Sequence, residues 1–454
     1  MSSNTARCLA LVGLGSRTMR KILPGLLALH DKVLIVAACD CDQSKLDSFH
    51  STLPSASLFP SIEALLTWHA TEQVVDVAYI ALPHHAYESV VTAVLTHGIH
   101  VLKEKPGAVS LDELYRLVQV SQDAGVCLGI AGHRRFSEQM RRLKEGMALV
   151  GRVVSCEITR KIVVENLEEG WRAHRDLAGG GVVIDLGWHS FDLLEILFGR
   201  PHNCNSQPRI KSVALLNTKL NAAYDVEDTA HLALAYPASD SQSHEIHCNV
   251  ILSRIGMEPI DRVVITGELG VLTAIDGKVN FNTHRTNHVP NLSDPPHACW
   301  ETTHSNADII AKMFISFLEY CDGRTSVFWD MEHEVRVTKL ISEVYSPTDT
   351  PQSSTRNHMK PDFEWPVITQ DIEDTVLAQL HTSISVYDQG GVLGEFEDAF
   401  KRFHNHPEWF ALLHNSGTNA LHAMFLACGA KPGDEVSCEC VIRYLNLNTL
   451  FLCR

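Results

Sequence analysis

Residues 7–17 read RCLALVGLGSR, and the fold follows from how this run changes character at Gly13. Cys8 to Val12 are apolar throughout, as in a strand covered on both faces, and a stretch of helical composition runs from Thr18 to about His30. Between them, Gly13 permits a tight turn and Gly15 lets the backbone approach a pyrophosphate. The helix start beyond, at Ser16 and Arg17, offers amides and a partial positive charge. Thr18 stands where a third glycine is usual, which predicts looser packing of helix on strand. The turn alone fits an ordinary strand-to-helix connection equally well.

The surrounding residues add the context. VLIVAACD, residues 33–40, is a second strand ending at Asp40, roughly 25 residues beyond the turn, where a carboxylate accepts ribose hydroxyls. The alternative for Asp40 is a turn or helix-cap residue, since CDCDQSK also resembles a cap. Arg17 is a candidate partner for a 2′-phosphate. NAD is the expected cofactor, with NADP open. VVDVAYIAL, IHVLKEKP and VCLGIAGH continue the strands, separated by helices AYESVVTAVLTHG and LDELYRLVQVSQDAG. Ser110 caps the latter, with Glu113 at capping-box spacing. Buried strands alternating with helices predict a doubly wound parallel sheet over residues 1–133.

Beyond about residue 150, strand-like runs such as RVVSCEITRKI, TAHLALAY and DRVVITGELGVLTA follow one another with few helices between. An α+β domain with an open, mostly antiparallel sheet is therefore expected over 134–346. Its exception is GGGVVIDLGWHSFDLLEILFG, a helix with a glycine-rich entry, and DMEHEVRVTKLISEVY is a final helix. The Pro/Ser/Thr-rich stretch 347–361 reads as a linker, and 362–454 as a further, partial α/β segment.

Composition narrows the function. The chain has 454 residues, 45% of them hydrophobic and 20% charged, and a formal net charge of −16. That balance excludes a disordered chain and argues against a nucleic-acid partner. It does not exclude an anionic substrate, because a few cations reverse the field within a cleft. No apolar run approaches the roughly 20 residues needed to span a bilayer, and the N-terminus reads as a strand rather than a signal peptide. Thirteen cysteines without a metal-ligand spacing point to free thiols in a reducing cytoplasm, with no metal site expected.

Two constellations carry the chemistry. Lys105, in Glu104-Lys105-Pro106, follows a parallel strand at the sheet edge where ligands bind. A lysine there polarises a substrate oxygen; the alternative is a solvated strand-end charge. Asp185 and His189, four apart, share a helix face. Histidine suits removal of a hydroxyl proton as hydride leaves, with Asp185 binding a hydroxyl or orienting the imidazole. The alternative is a structural pair.

GLGSR, LPHHAYESVVTAVLTHGIHVLKEKP, GWR and GGGVVIDLGWHSFD, in that order and spacing, resemble the Gfo/Idh/MocA oxidoreductases over residues 7 to about 346. The resemblance implies NAD(P)-dependent hydride transfer on a sugar, sugar phosphate, sugar nucleotide or cyclitol, by a homo-oligomer. It places Pro83, His84 and Glu104 beside the nicotinamide, and Trp171 and Arg172 at the substrate. His84 replaces the family's usual asparagine, and Tyr87 a usual histidine. From Trp365, SGTNAL and PGDEV resemble the N-terminal part of DegT/DnrJ/EryC1/StrS sugar aminotransferases. Gly417-Thr418 match that family's phosphate cradle, but the residues after Glu435 contain no lysine, so neither pyridoxal phosphate nor transamination is expected. The joining of the two suggests aminosugar biosynthesis. Two other readings stay open: a non-catalytic dinucleotide-binding regulator, and a bifunctional enzyme completed by another chain.

Overall fold

The computed structural model describes residues 6–346, apart from 200–206, 219–222, 238–243, 276, 284–296, 302–304 and 325–326. The linker and the aminotransferase-like segment, including Gly417 and Thr418, lie outside the described residues. Two sheets organise the rest.

The first is wholly parallel, with strands β1 (Arg7–Val12), β2 (Val33–Cys39), β3 (Ser57–Phe59), β4 (Val77–Ile80), β5 (His100–Lys103) and β6 (Leu128–Ile130). Their order is β3-β2-β1-β4-β5-β6, so the chain reverses its direction of travel between β1 and β4. Ligands of open α/β sheets bind at such a switch point, beyond the carboxyl ends of the strands. Alternate β1 side chains enter different cores: Leu9 and Leu11 on one face, Ala10 and Val12 on the other. Burial on both faces explains the unbroken apolar run.

The second sheet comprises β7 (Val153–Lys161), β8 (Arg209–Leu216), β9 (Thr229–Tyr236), β10 (Ile246–Ser253), β11 (Ile260–Gly267), β12 (Gly270–Ile275), β13 (Lys278–Thr283) and β14 (His297–Glu301). The order is β14-β13-β12-β11-β7-β10-β9-β8; β7 and β10 pair parallel and the other described pairs are antiparallel. One face is covered by helices Glu138–Val150, Trp188–Phe198 and Met331–Tyr345, which supply Leu143, Trp188, Phe191, Val337 and Ile341 to one core with Ile158, Val250 and Ile265. β10 alternates buried and exposed residues along most of its length, as a sheet covered on one face requires.

Three local features depart from the sequence reading. The first helix opens as a π turn, Thr18–Ile22, and its α part ends at Leu27. Pro24 has no N–H to give the preceding turn, which breaks the regular ladder. Ser110 does cap Glu113, but the Glu113 carboxylate returns to the amide of Val109 instead of that of Ser110. The third is a helix that went unread, Asn306–Cys321, which packs against the first sheet. Its Ile310, Met313, Phe314 and Phe317 join the core holding Leu9 and Leu11.

Two glycines let this helix sit close. A Cβ at Gly25 would fall 2.7 Å from the Ile310 side chain, and one at Gly129 would fall 2.6 Å from Phe317. Phe317 is fully buried and cannot swing aside. Gly129→Ala should therefore cost about 1–3 kcal/mol by overpacking. Its denaturant midpoint should fall with an unchanged slope; an unaltered midpoint would mean that the helix is not seated on β6.

Candidate active site

The nucleotide end of the site is built by β1 and β2. Gly13 has φ +87°, and a Cβ there would lie 2.2 Å from the Ala81 carbonyl oxygen, so only glycine fits. Beside Gly15 the position of a Cβ is open space, with nothing within 4 Å, the room a phosphate needs against backbone. Thr18 does not loosen the turn as expected: it is fully buried, and its hydroxyl donates to the Gly13 carbonyl at 2.6 Å. Asp40 Oδ2 accepts the Leu14 amide at 2.8 Å, and Oδ1 accepts the Asp42 amide at 3.0 Å. The helix cap is Asp42, which accepts from the Ser44 amide. Ser16 is exposed at the rim.

Arg17 already has partners: its Nε donates to Glu104 Oε1 at 2.7 Å and its NH2 to His133 Nδ1 at 3.0 Å, so it braces the sheet edge. Glu104 Oε1 also accepts the buried Tyr79 hydroxyl at 2.7 Å. Lys103, unnoticed in the sequence, is fully buried and secures the turn beyond β5. Its ammonium donates to the Pro106 and Gly107 carbonyls, the latter at 2.8 Å, and lies 3.9 Å from the Tyr87 ring centroid. Burial lowers its pKa to about 8, against the opposing charges of Glu113, Glu334 and Glu104.

Lys105 projects from this turn to residues 80 positions away. Its Nζ donates to Asp185 Oδ1 at 2.6 Å and to the Asp185 carbonyl at 2.9 Å. Asp185 does not sit in a regular α-helix with His189, as the spacing suggested. It lies in a π turn, Val183–Gly187, that runs into the α-helix Trp188–Phe198. The entry is pinned by Glu227, whose Oε1 accepts the amides of Gly181 and Val183, both at 3.0 Å. A π turn displaces the following residues relative to an α ladder, a feature frequent at functional sites.

Asp185 orients the ammonium, not the imidazole. Its Oδ2 accepts from Arg254 NH2 at 3.1 Å, and Arg172 Nε lies 3.9 Å away. Burial alone would raise this carboxyl, but Lys105, Arg254 and Arg172 outweigh it and hold it well below the usual carboxylate range. His189 is buried, with no hydrogen-bond partner for Nδ1 among the described residues, and its ring stands edge-on to His133 at 5.7 Å. Burial, then the charges of Arg134 and Lys105 with lesser contributions from His133 and Arg160, push its pKa well below 6.5, so the imidazole is neutral. Trp171 packs edge-on to His84 at 4.5 Å, and the half-exposed Arg172 guanidinium lies 4.2 Å from the Trp171 ring centroid. His84, which follows Pro83, is buried and donates from Nδ1 to the Ala178 carbonyl at 2.7 Å. It thereby ties the nucleotide-binding half to the glycine-rich entry.

The structure thus brings Lys105, Asp185, Arg172 and His189 together, with Glu104 and Arg17 behind them. His133, Arg134, Arg160, Arg254 and Asp261 complete the surroundings, and no sequence motif pointed to them.

Comparison with known proteins identifies the frame. Residues 8–131 match the oxidoreductase family's NAD-binding Rossmann fold, and residues 143–309 match its C-terminal alpha/beta domain. The chain belongs to the Gfo/Idh/MocA oxidoreductases. A further stretch, 367–438, matches the DegT/DnrJ/EryC1/StrS aminotransferase family. Among curated relatives, a putative UDP-kanosamine synthase oxidoreductase subunit of Amycolatopsis mediterranei is 33% identical over 42% of this chain and 51% of its own length. D-xylose 1-dehydrogenase (NADP(+)) 2 of Haloferax volcanii is 26% identical over 60% of this chain and 82% of its own. The chain spans about half the length of the first of these. Solved structures show the same fold. The WlbA dehydrogenase of Bordetella pertussis, in complex with NADH and UDP-GlcNAcA, matches 76% of this chain and 96% of its own, with a TM-score of 0.61 at 18% identity. KijD10, a 3-ketoreductase of Actinomadura kijaniata in complex with NADP and TDP-benzene, matches 75% and 97%, with a TM-score of 0.61 at 17% identity. No described helix is long and apolar enough to cross a membrane.

The buried neutral histidines of this Gfo/Idh/MocA site make stability depend on pH. Burial lowers His84 and His133 to about 3, with Arg17, Arg134 and Lys105 adding to the effect on His133. As pH falls below about 6.5, the unfolded chain takes up protons that the folded chain refuses. Stability is therefore full above that pH and declines below it, by up to about 1.4 kcal/mol per pH unit for each histidine. His84→Gln should flatten the slope between pH 6 and 4.5 by about one proton, measured by urea unfolding. An unchanged slope would mean that His84 titrates freely in the folded protein.

Proposed function

We propose that this chain is a nicotinamide-dependent oxidoreductase that moves a hydride between the cofactor and a secondary alcohol or ketone of a sugar-like substrate. The observation that carries the reading is the Lys105–Asp185 contact at 2.6 Å beside a buried, neutral His189. When bound, the nicotinamide supplies the carbon that accepts or returns hydride. The residues that would hold the cofactor are Gly13, Gly15 and Ser16 at the pyrophosphate, Asp40 at the adenosine ribose, and Pro83, His84, Glu104 and Lys105 toward the nicotinamide. Asp40 favours NAD, since its carboxylate repels a 2′-phosphate and Arg17 is engaged elsewhere.

An ammonium has three N–H donors, and Asp185 takes two from Lys105, which leaves one for the substrate oxygen. That contact stabilises negative charge as the hydroxyl proton departs. A neutral imidazole has a free lone pair, so His189 is suited to take the proton in oxidation and return it in reduction. The half-exposed Arg172 and the neighbouring Trp171 would bind substrate hydroxyls. The ketone formed is the class of compound that sugar aminotransferases consume, which fits the match at residues 367–438. This match supports a role in aminosugar formation.

Lys105→Met tests the reading. It should lower turnover in an NAD-linked screen of sugars, sugar phosphates and sugar nucleotides by at least about 100-fold. NADH binding, followed by fluorescence quenching, should stay within about twofold of the parent protein. Normal turnover by the variant would remove the assignment.

A further inference from the structure

Around His189 lies a group of charges that the proposed chemistry does not use. Arg134 sits in the 3-10 turn His133–Phe136, Arg160 near the end of β7, and both bind the single carboxylate of Asp261 on β11. Arg160 Nε donates to Oδ1 at 3.1 Å, and Arg134 NH1 donates to Oδ2. Two guanidiniums against one carboxylate leave a positive charge unbalanced. Arg160 is 5% exposed, and its NH1 is buried without a hydrogen-bond partner among the described residues. An unsatisfied guanidinium N–H in a buried position is costly unless a ligand engages that group.

The wider site shows the same imbalance. Counting the buried Arg135–Asp192–Glu334 network that borders Arg160 and His133, seven cations, Arg17, Lys105, Arg134, Arg135, Arg160, Arg172 and Arg254, meet five carboxylates, Glu104, Asp185, Asp192, Asp261 and Glu334. The chain as a whole carries a formal charge of −16, so the sign reverses locally. A neutral polyol would leave this excess uncompensated, whereas an oxyanion would compensate it.

We propose that Arg134 and Arg160 form an anion subsite beside His189, so that the substrate is a sugar derivative bearing a carboxylate or phosphoryl group next to the carbon that exchanges hydride. The identity of that carbon rests on the function proposed above; the subsite itself does not. The oxyanion would share the two guanidiniums with Asp261, each of which keeps further N–H donors in its planar fork. Occupancy also changes the imidazole. His189 is held low by its burial and by Arg134, Lys105, His133 and Arg160. An anion seated on two of these offsets their field, so binding of the charged substrate raises the basicity of His189.

The test is calorimetry on the full chain loaded with NADH, titrated with methyl glucoside, glucuronate and glucose 6-phosphate. At least one charged ligand should bind about tenfold or more tightly than the glucoside, and which one does separates carboxylate from phosphoryl. Arg134→Gln should cut the charged-to-neutral ratio about tenfold, and Arg134→Lys should retain most of it. Asp261→Asn, which removes the internal competitor, should tighten the charged ligand several-fold. With a substrate that turns over, the acid limb of kcat should lie at higher pH than that of kcat/KM for charged substrates only. Equal affinities, no charged ligand bound, a ratio untouched by Arg134→Gln, or weaker anion binding in Asp261→Asn would each overturn the subsite. Calorimetry needs no turnover. Arg134-dependent anion binding without NAD reduction would keep the subsite and reject the dehydrogenase, and indifferent oxidation of charged and neutral sugars would do the reverse.

Discussion

One contact, Lys105 Nζ on Asp185 Oδ1, joins the end of the parallel sheet to the helix that covers the antiparallel one. Neither partner tolerates burial alone, since an uncompensated charge in a protein interior costs several kcal/mol. Much of the surrounding structure serves to keep the pair together. Lys103 secures the Pro106–Gly107 turn from beneath, Glu227 pins the glycine-rich entry, and Arg254 takes the second oxygen of Asp185. Because each group is held by at least one backbone or buried partner, the ammonium is fixed in position with little freedom to reorganise.

The parts legible in the sequence are those whose signal is local. Gly13, Gly15 and Asp40 belong to one strand-turn-helix-strand unit, and their spacing alone places them around a common point. Lys105, Asp185 and His189 were readable from short signatures, although the spacing could not distinguish an α-helix from a π turn, because the distinction depends on where Glu227 anchors the entry. Helix Asn306–Cys321 left no such mark. It follows a region of strands, and its destination, the first sheet, is set by small residues at positions 25 and 129 that lie far away in sequence.

Arg160, Arg254 and Asp261 were hidden for a related reason. Each lies at or next to the end of a strand in the second sheet, and only the order of β11, β7 and β10 gathers them beside the helix that carries His189. Arg17 shows the opposite case: its place next to a glycine turn suggested a phosphate, and the tertiary structure adds a glutamate that no local signal announced. Net charge was equally poor as a guide to the surroundings of His189, where the local balance is opposite in sign to that of the whole chain.

The Asp40–Leu14 hydrogen bond gives one carboxylate a part in shaping the glycine turn. By accepting the Leu14 amide, Asp40 fixes the bend between β1 and the helix that follows it. A small neutral residue at position 40 would leave that amide unsupported. The side chain at this strand end therefore cannot be exchanged without also reshaping the loop beside it.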